Sequence, residues 1–423
     1  MLSRRYIPQE LCDEIIDHVW DDMPTLLACA TTCRSWVWRS QKNIFRVVSV
    51  NNATRFGRFT RLAKSKKRLA SYVRVLTLAK ARRYKTKMDR EWPELLSQLP
   101  HIEELTIGRW LDLFPMDSAV RRGLPRYLKH VRVLRIADSF VGSGVDFARL
   151  LAACPKMRRL ELDNARMWPA PSGDHDDAPK LSGIPELLDT LALSPNHTSG
   201  PMLRFLISSP LATSLRKLEL ELVTPLVFRD CEPFLRATSD TLEELVLSVT
   251  GNKVSRRRIA YYVSIPLMKR LRRLHLRAKM ADPKEPVPRR YEWMPPFLRM
   301  FDTWQEKGSL REVVLSWRTS DLSSMTPLPP WQSFDNALTS LAKRFANLDI
   351  SLNLLDDTGI EKHLIYMLPF GLQLFPSLQN QQTTLLVNMG RSWHHHDIFG
   401  GCLGIPEQFT FKYPQPDIKT ART

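Results

Sequence analysis

The residues that could perform chemistry in this chain are few and poorly grouped. The best candidate for a metal site is the run His394–His396, with Asp397 beside it. Zinc needs three or four ligands that converge on one point, and adjacent side chains point in different directions. Cys29 and Cys33 are four residues apart, which would place both thiols on one face of a helix, but their apolar setting favours packing. We therefore predict no metal site.

The motifs of common catalytic and nucleotide-binding sites are also absent from the sequence. It contains no GxSxG elbow, no glycine-rich phosphate loop and no HExxH helix. We therefore predict no catalytic residues and no cofactor, so that the chain is not an enzyme.

The composition restricts the class of protein. Of the 423 residues 43% are hydrophobic and 25% are charged, which excludes a wholly disordered or fibrous chain. No apolar run reaches the roughly 18 residues of a membrane span, so no membrane contact is predicted. Charges near the N-terminus argue against a signal peptide, and six scattered cysteines without a CxxC pair fit a reducing compartment. We expect a cytoplasmic location, a nuclear one, or both.

Positive charge is concentrated in two stretches of a chain whose net charge is +18. Fourteen basic residues and one acid lie between Arg55 and Arg90, and ten basic residues and no acid lie between Lys253 and Lys279. Such stretches attract nucleic acid, anionic lipid or acidic proteins, or they are simply solvated surface. Neither stretch contains a recognised nucleic-acid motif, so nucleic acid is not the partner we expect.

The elements that precede the basic stretches are helical. A first helix is predicted after Pro8, with one apolar face formed by Leu11, Ile15, Ile16 and Val19. A second helix is predicted from Pro24 with Asp22 as its cap, and its apolar positions are Leu26, Leu27, Ala30, Cys33, Trp36 and Val37. Ile44, Phe45, Val47 and Val48 close this unit. Three short helices cannot bury a sufficient core by themselves, so the unit must pack against the rest of the chain or a partner.

These residues resemble an F-box. The matching positions, in order, are Ile7-Pro8, Glu10-Leu11, Ile15, Leu26-Leu27, Cys33-Arg34-Ser35-Trp36 and Phe45-Arg46. Ile7 replaces the usual Leu, and Ala30 stands where a larger Val is common. The resemblance covers about a tenth of the chain and implies docking onto the Skp-type adaptor, and through it onto a cullin. It implies the adaptor-binding residues Ile7, Pro8, Leu11, Ile15, Leu26, Leu27, Cys33 and Trp36.

The rest of the chain repeats a phrase of one apolar residue, two polar residues and then Leu-x-apolar. Copies lie at 73–78, 102–107, 131–136, 157–162, 188–193, 215–220, 242–247, 271–276, 310–315 and 345–350. Seven of the nine gaps between their fourth residues are 26–31 residues long. The copy at 188–193 fits the continuation of a helix from Ile184 equally well. Helical stretches such as 91–101, 146–156 and 228–240 lie between the phrases.

A leucine-rich phrase with this period resembles leucine-rich repeats, although the usual Asn or Cys after the last Leu is missing. The fold class that the two resemblances imply is α/β, with a short three-helix F-box followed by an irregular leucine-rich-repeat horseshoe. We predict an F-box at 1–50, a basic linker or helix at 51–70, repeats at 71–355, and a cap with a loose tail at 356–423. Proline-rich segments at 169–180, 281–296 and 318–331 interrupt the repeats, as binding loops or as tolerated insertions.

The function that these resemblances imply is substrate recognition in an SCF-type cullin-RING ubiquitin ligase. The repeats would hold an unknown target protein, which the basic stretch 253–279 suggests is acidic. Candidate target-binding residues are the outward strand positions Arg135, Arg159, Glu161, Lys217, Glu219, Glu244, Arg273, His275 and Arg277.

Two alternatives remain open. The first is a basic repeat scaffold without a ligase role, which binds nucleic acid or an anionic partner. It would use the Arg55–Arg90 stretch with its interleaved aromatics Phe56, Phe59, Tyr72 and Tyr84. The second is a scaffold whose F-box no longer binds the adaptor.

Overall fold

The structure is a computed structural model that divides the chain into two compact units. The first comprises residues 1–188 and 395–405, and the second comprises residues 189–394 and 406–423. The residues it describes are 7–79, 88–109, 118–167, 187–194, 200–222, 225–249, 268–278, 293–303, 309–318, 331–345, 347–356, 376–379, 384–391 and 409–412. Within these ranges, no helix has the length and apolar character needed to cross a membrane.

The first unit begins with three short helices. They are α1 Gln9–His18, α2 Met23–Thr32 and α3 Arg34–Ile44. The carboxylate of Asp22 caps α2 by accepting a hydrogen bond from the backbone N–H of Thr25 at 3.2 Å, as predicted. The prediction of one continuous helix from Pro24 to Val37 is wrong, because Cys33 is extended (φ −157°, ψ 162°) and separates α2 from α3.

The remainder of the first unit alternates strands with helices. Its strands are β1 Val47–Val50, β2 Val75–Ala79, β3 Glu104–Gly108, β4 Val133–Ala137 and β5 Arg159–Asp163. Its further helices are α4 Ala53–Ser65, α5 Lys67–Ala70, α6 Met88–Ser97, α7 Ser118–Leu128 and α8 Gly144–Ala152. The basic segment predicted at 51–70 therefore forms α4 and α5, which connect β1 to β2.

All pairs among these five strands are parallel and follow chain order. The leucines of successive phrases stand side by side, since Leu76 pairs with Leu105, Leu105 with Leu134, and Leu134 with Leu160. All four are fully buried. Because side chains alternate across a strand, the polar residues between the leucines face the other side of the sheet. The core thus contains a column of stacked leucines.

The strands β3, β4 and β5 are each followed by a residue in the left-handed region. Arg109, Asp138 and Asn164 have φ values of 62°, 50° and 49°. The amide of Asn164 donates to the carboxylate of Asp138 at 2.6 Å, and Arg109 lies 3.9 Å from the same carboxylate. Asn and Asp tolerate this conformation better than other non-glycine residues, and Arg109 adopts it in the equivalent position after β3.

The second unit continues the alternation. Its strands are β6 Thr190–Ser194, β7 Lys217–Leu222, β8 Glu244–Val249, β9 Arg273–Ala278, β10 Glu312–Arg318, β11 Asp349–Asp356, β12 Thr384–Arg391 and β13 Phe409–Lys412. Its helices are α9 Gly200–Ser208, α10 Leu211–Ser214, α11 Pro225–Thr238, α12 Met294–Arg299, α13 Trp331–Arg344 and α14 Pro376–Gln379, with a 3-10 turn at Met300–Thr303. Strands β6 to β12 pair in parallel and in chain order, and β13 pairs with β12 in the antiparallel direction.

Each of the ten predicted phrases contains or adjoins a strand, so the mixed α/β fold with an N-terminal helical segment is confirmed. The phrase at 188–193 is a strand and does not continue a helix. The phrase at 345–350 begins two residues too early, because Ile350 is the register partner of Val313. The prediction of a loose tail is wrong at residues 409–412, which form β13.

The proline-rich segment 169–180 lies outside the described residues, as do most of 281–296 and of 318–331. Trp293, at the end of the second segment, is 1% exposed and packs edge-to-face on Phe297. It therefore has the role of a core residue and not that of an exposed loop aromatic.

Candidate functional site

The three N-terminal helices have a small apolar core of their own. Ile16 and Leu26 are completely buried, Cys29 is 9% exposed, and Trp36 and Ile44 pack against them. This core joins one face of α1 to α2 and α3. The exposed apolar side chains of the helices are not part of this core.

An ion pair and two hydrogen bonds hold α1 on α3. The guanidinium of Arg39 forms a two-point ion pair with the carboxylate of Asp17, and the amide of Asn43 donates to Asp17 at 3.0 Å and to the backbone oxygen of Ile16 at 3.3 Å. The hydrogen bond from Arg39 lowers the pKa of Asp17, against the opposing effect of partial burial. This bidentate geometry sets the angle of α1 and hence the direction of its exposed face.

The same helices expose an unusual amount of apolar surface. Ile7, Leu11, Ile15 and Leu27 are 57%, 49%, 53% and 53% exposed, and Met23 is 44% exposed. Leu11 and Ile15 are one helical turn apart on α1, next to the face that carries the buried Cys12 and Ile16. We call Ile7, Leu11, Ile15, Met23 and Leu27 the apolar patch.

The predicted adaptor-binding residues divide between this surface and the core. Pro8 and Cys33 are exposed, as are four members of the apolar patch. Leu26, in contrast, is fully buried beneath α1, and Trp36 is half-buried against the same core. In this chain Leu26 packs the helices together, and its side chain cannot contact a partner without unfolding them.

Cys33 also departs from its predicted packing role. It lies at the junction of α2 and α3 with an exposed side chain, and its sulfur is 3.1 Å from the hydroxyl of Ser35. The hydrogen bonds from the Ser35 hydroxyl and from the backbone N–H of Trp36 lower the pKa of the thiol. Cys29, as predicted, is buried.

The predicted target-binding residues of the first unit bind one another. Arg135 lies between two carboxylates, 3.2 Å from Glu104 and 2.9 Å from Glu161, and Arg159 lies 2.6 Å from Glu161. These residues come from β3, β4 and β5, so parallel register brings them side by side. Most of the charge on this strand face is neutralised within the sheet.

The second unit repeats this arrangement. Lys217 lies 3.3 Å from Glu219 and 2.8 Å from Glu244. Arg273 Nε lies 3.1 Å from a Glu312 carboxylate oxygen, an ion pair without hydrogen-bond geometry. The side chains of these pairs are 21–43% exposed, and ion pairs in contact with water contribute little to stability, so they can reorganise around a partner.

His275 is not on an accessible surface, contrary to the sequence prediction. It is 6% exposed, and its Nε2 is 2.6 Å from the hydroxyl of Ser316. Its register neighbours Val246 and Val314 are 1% exposed, so the strands β8 to β10 are buried on both faces at this level. Burial, followed by the positive charges of Arg277, Arg273 and Lys217, lowers the pKa of His275 to about 2.

The side chain of Arg277 is half-buried against the same histidine. Its guanidinium nitrogens are 3.2 Å from the ring nitrogens of His275. Arg277 therefore covers the buried imidazole, and it belongs to the support of the strand as much as to its surface.

A metal centre finds no support in the described part of the chain, which contains no group of three His, Cys, Asp or Glu side chains that could hold an ion. The run His394–His396 lies outside the described residues.

Comparison with known proteins does not assign the chain to a family. No protein-family model matches it, and no curated protein matches its sequence. The functional argument therefore depends on the residues and on their geometry.

Proposed function

We propose that this chain is a substrate-recognition subunit of an SCF-type cullin-RING ubiquitin ligase. In this proposal the helices α1 to α3 dock onto a Skp-type adaptor, which connects the chain to a cullin. The strand–helix units are leucine-rich repeats that bind a target protein. The chain performs no chemistry of its own.

The observation that carries the proposal is the apolar patch. Four of its five members are among the eight side chains that the F-box resemblance assigns to the adaptor, and Met23 is the fifth member. Burying a half-exposed aliphatic side chain stabilises a complex by roughly 1 kcal/mol. Five such side chains provide a gross gain of about 5 kcal/mol, a substantial part of the free energy of a micromolar complex.

The mechanism follows from tethering. A target held by the repeats and an enzyme carried by the cullin meet at an effective concentration set by the geometry of the complex. The ion pairs of the strand face, such as Arg135 with Glu104 and Glu161, can exchange partners with charged groups of the target at low cost.

The test is binding of the purified chain to the Skp-type adaptor, beside the double variant Leu11→Asp, Ile15→Asp. Both side chains are exposed, so the variant should fold, whereas a replacement of Leu26 or Trp36 would disrupt the helical core. An unpaired carboxylate in an apolar contact costs about 3 kcal/mol or more, so affinity should fall at least about 100-fold.

The matched control is Val145→Asp, Leu187→Asp. These residues are 41% and 51% exposed and lie outside the N-terminal helices. The control should bind the adaptor as the wild type does. A folded wild-type chain that does not bind would refute the ligase proposal. If it still binds a target, the helical segment is a remnant and the chain is a scaffold.

A second candidate function is binding of an anionic partner through α4 and α5. Arg55, Arg58, Lys66 and Lys67 are exposed there, and no carboxylate of the described residues pairs with them. Phe56, however, is 2% exposed and cannot stack on a base, and Tyr84 lies outside the described residues. Binding whose logarithm falls steeply with the logarithm of salt concentration would favour this function.

A further inference from the structure

The edge of the first unit at which strands β2 to β5 begin carries a column of charged residues. The backbone N–H of Glu103 donates to the carbonyl of Arg74 at 2.7 Å, that of Arg132 to Glu103 at 2.7 Å, and that of Arg158 to Arg132 at 2.8 Å. These four residues therefore stand directly before consecutive strands, about one strand spacing (about 4.8 Å) apart.

A second column runs beside the first. His101, His130 and Lys156 each lie two residues before a member of the first column, so the repeat places them next to one another as well. The rings of His101 and His130 have centroids 6.2 Å apart. Residues that are 26 to 29 positions apart in the sequence thus form one compact group.

Members of the two columns line a cavity that is open to solvent. Its volume is about 100 Å3, and its lining residues are Arg74, His101, Glu103, His130, Arg132 and Lys156. This volume exceeds what a single water needs, and the exposed side chains of Arg132 and Lys156 leave the cavity open to solvent, so one tetrahedral oxyanion can enter it.

The charge of the cavity is mostly uncompensated. Glu103 is its single acid, and it lies 3.4 Å from Arg74. Within the described part of the chain, neither Arg132 nor Lys156 has a carboxylate partner. Burial, followed by the positive charges of Lys129 and Lys156, lowers the pKa of His130, as expected beside a cationic group. This edge therefore differs from the strand face, where arginines and glutamates neutralise one another.

We propose that this cavity binds the phosphate group of a phosphate monoester. Two guanidinium groups, an ammonium and two imidazoles line one small space, and together they offer donors to several oxygens of a single dianion. The site lies on the repeats and does not depend on the adaptor function proposed above.

The probe for the experiment is inorganic phosphate, whose binding to the full-length chain is followed by 31P NMR line broadening. The test variant is Arg132→Ala, Lys156→Ala, and its control is Arg55→Ala, Arg58→Ala, which removes the same charge from exposed positions of α4. The test variant should weaken binding at least about 30-fold, since each lost charge-assisted hydrogen bond costs about a factor of ten.

A third variant tests whether the negative charge in the lining opposes phosphate binding. Glu103→Gln removes the carboxylate from the lining and should tighten phosphate binding roughly fivefold, the effect of one screened charge pair at a few ångströms. Equal weakening by the test and control pairs would overturn the proposal, because it would show attraction to the net charge alone. No saturable binding by the folded wild type would overturn it as well.

Two competitors identify the source of the phosphate. A phosphoserine peptide that displaces the probe at lower concentration than glycerol 3-phosphate assigns the site to phosphorylated protein, and the reverse order assigns it to a small phosphorylated molecule. Either order supports the site. The variant Leu11→Asp, Ile15→Asp should bind phosphate normally, which separates this proposal from adaptor docking.

Discussion

Replacing His275 by glutamine should change how the stability of the second unit depends on pH. In the folded chain this imidazole is 6% exposed, lies 2.6 Å from the Ser316 hydroxyl and is surrounded by Arg277, Arg273 and Lys217. Its pKa is lowered to about 2, so it stays neutral in the folded state at any pH above that value. In the unfolded state it has the ordinary histidine pKa of about 6.5 and takes up a proton as the pH falls.

The magnitude follows from this difference. Below pH 6.5 the unfolded state binds one more proton than the folded state, so the free energy of unfolding falls by about 1.4 kcal/mol per pH unit. Between pH 7 and pH 5 the loss attributable to His275 is about 2 kcal/mol. This figure does not depend on the folded pKa as long as that pKa lies well below 5. A glutamine side chain at this position cannot titrate and contributes no such loss, whatever its effect on stability at pH 7.

The assay is differential scanning calorimetry of both chains at pH 7, 6 and 5. For a unit of about 200 residues, 2 kcal/mol corresponds to a shift of about 4–8 °C in Tm. The Tm of the wild type relative to His275→Gln should therefore fall by that amount from pH 7 to pH 5. The matched control is His101→Gln, at an exposed histidine. If the Tm of the wild type and the Tm of His275→Gln fall equally from pH 7 to pH 5, the conclusion that the imidazole is buried and neutral is refuted.

Three further perturbations test the packing, the capping and the accessibility of the fold. Leu218→Ala, in the fully buried leucine column of the second unit, should lower the free energy of unfolding by about 2–5 kcal/mol in urea denaturation. Ser143→Ala removes a capping box in which the hydroxyl accepts from the Asp146 backbone N–H at 3.2 Å, and it should cost about 1 kcal/mol in the same assay. Iodoacetamide should label Cys33 before Cys154, because Cys33 is exposed with a lowered pKa, whereas burial raises the pKa of Cys154 to about 12. Mass spectrometry reads the order, and equal labelling of the two in the folded chain would contradict the structure.

The strands were predictable because their signal is local. A phrase such as 215–220 places two leucines on one face and charged residues on the other, and a parallel neighbour with the same phrase completes the core. The same logic failed at 345–350, because Phe345 and Leu348 are buried ahead of the strand and imitate the phrase. The same reasoning also missed β1, because apolar and polar residues alternate only weakly in its sequence VVSV.

Which side chains are exposed and which are buried could not be predicted in the same way. Leu11 and Ile15 have the same helical spacing as Cys12 and Ile16, and only the packing of α1 on α3 decides which pair is buried. For His275 a signal was available: Val246 and Val314 interrupt the alternation in the neighbouring strands, as is typical of strands that are buried on both faces. The ion pairs of the strand face could not be predicted, because they depend on the register between strands, and no single phrase determines that register.

Pairing in chain order also has a consequence for how the protein is made. Leu105 is paired with a leucine 29 residues before it and Leu245 with one 27 residues before it, so every new strand finds its neighbour already synthesised. At about 5–20 residues per second, a ribosome completes such a unit roughly every 1–6 s. Closing a short loop takes about 10–100 ns, and forming a helix or a β-hairpin takes about 0.1–10 μs. Each unit can therefore fold from its N-terminal side while the rest of the chain is still being translated.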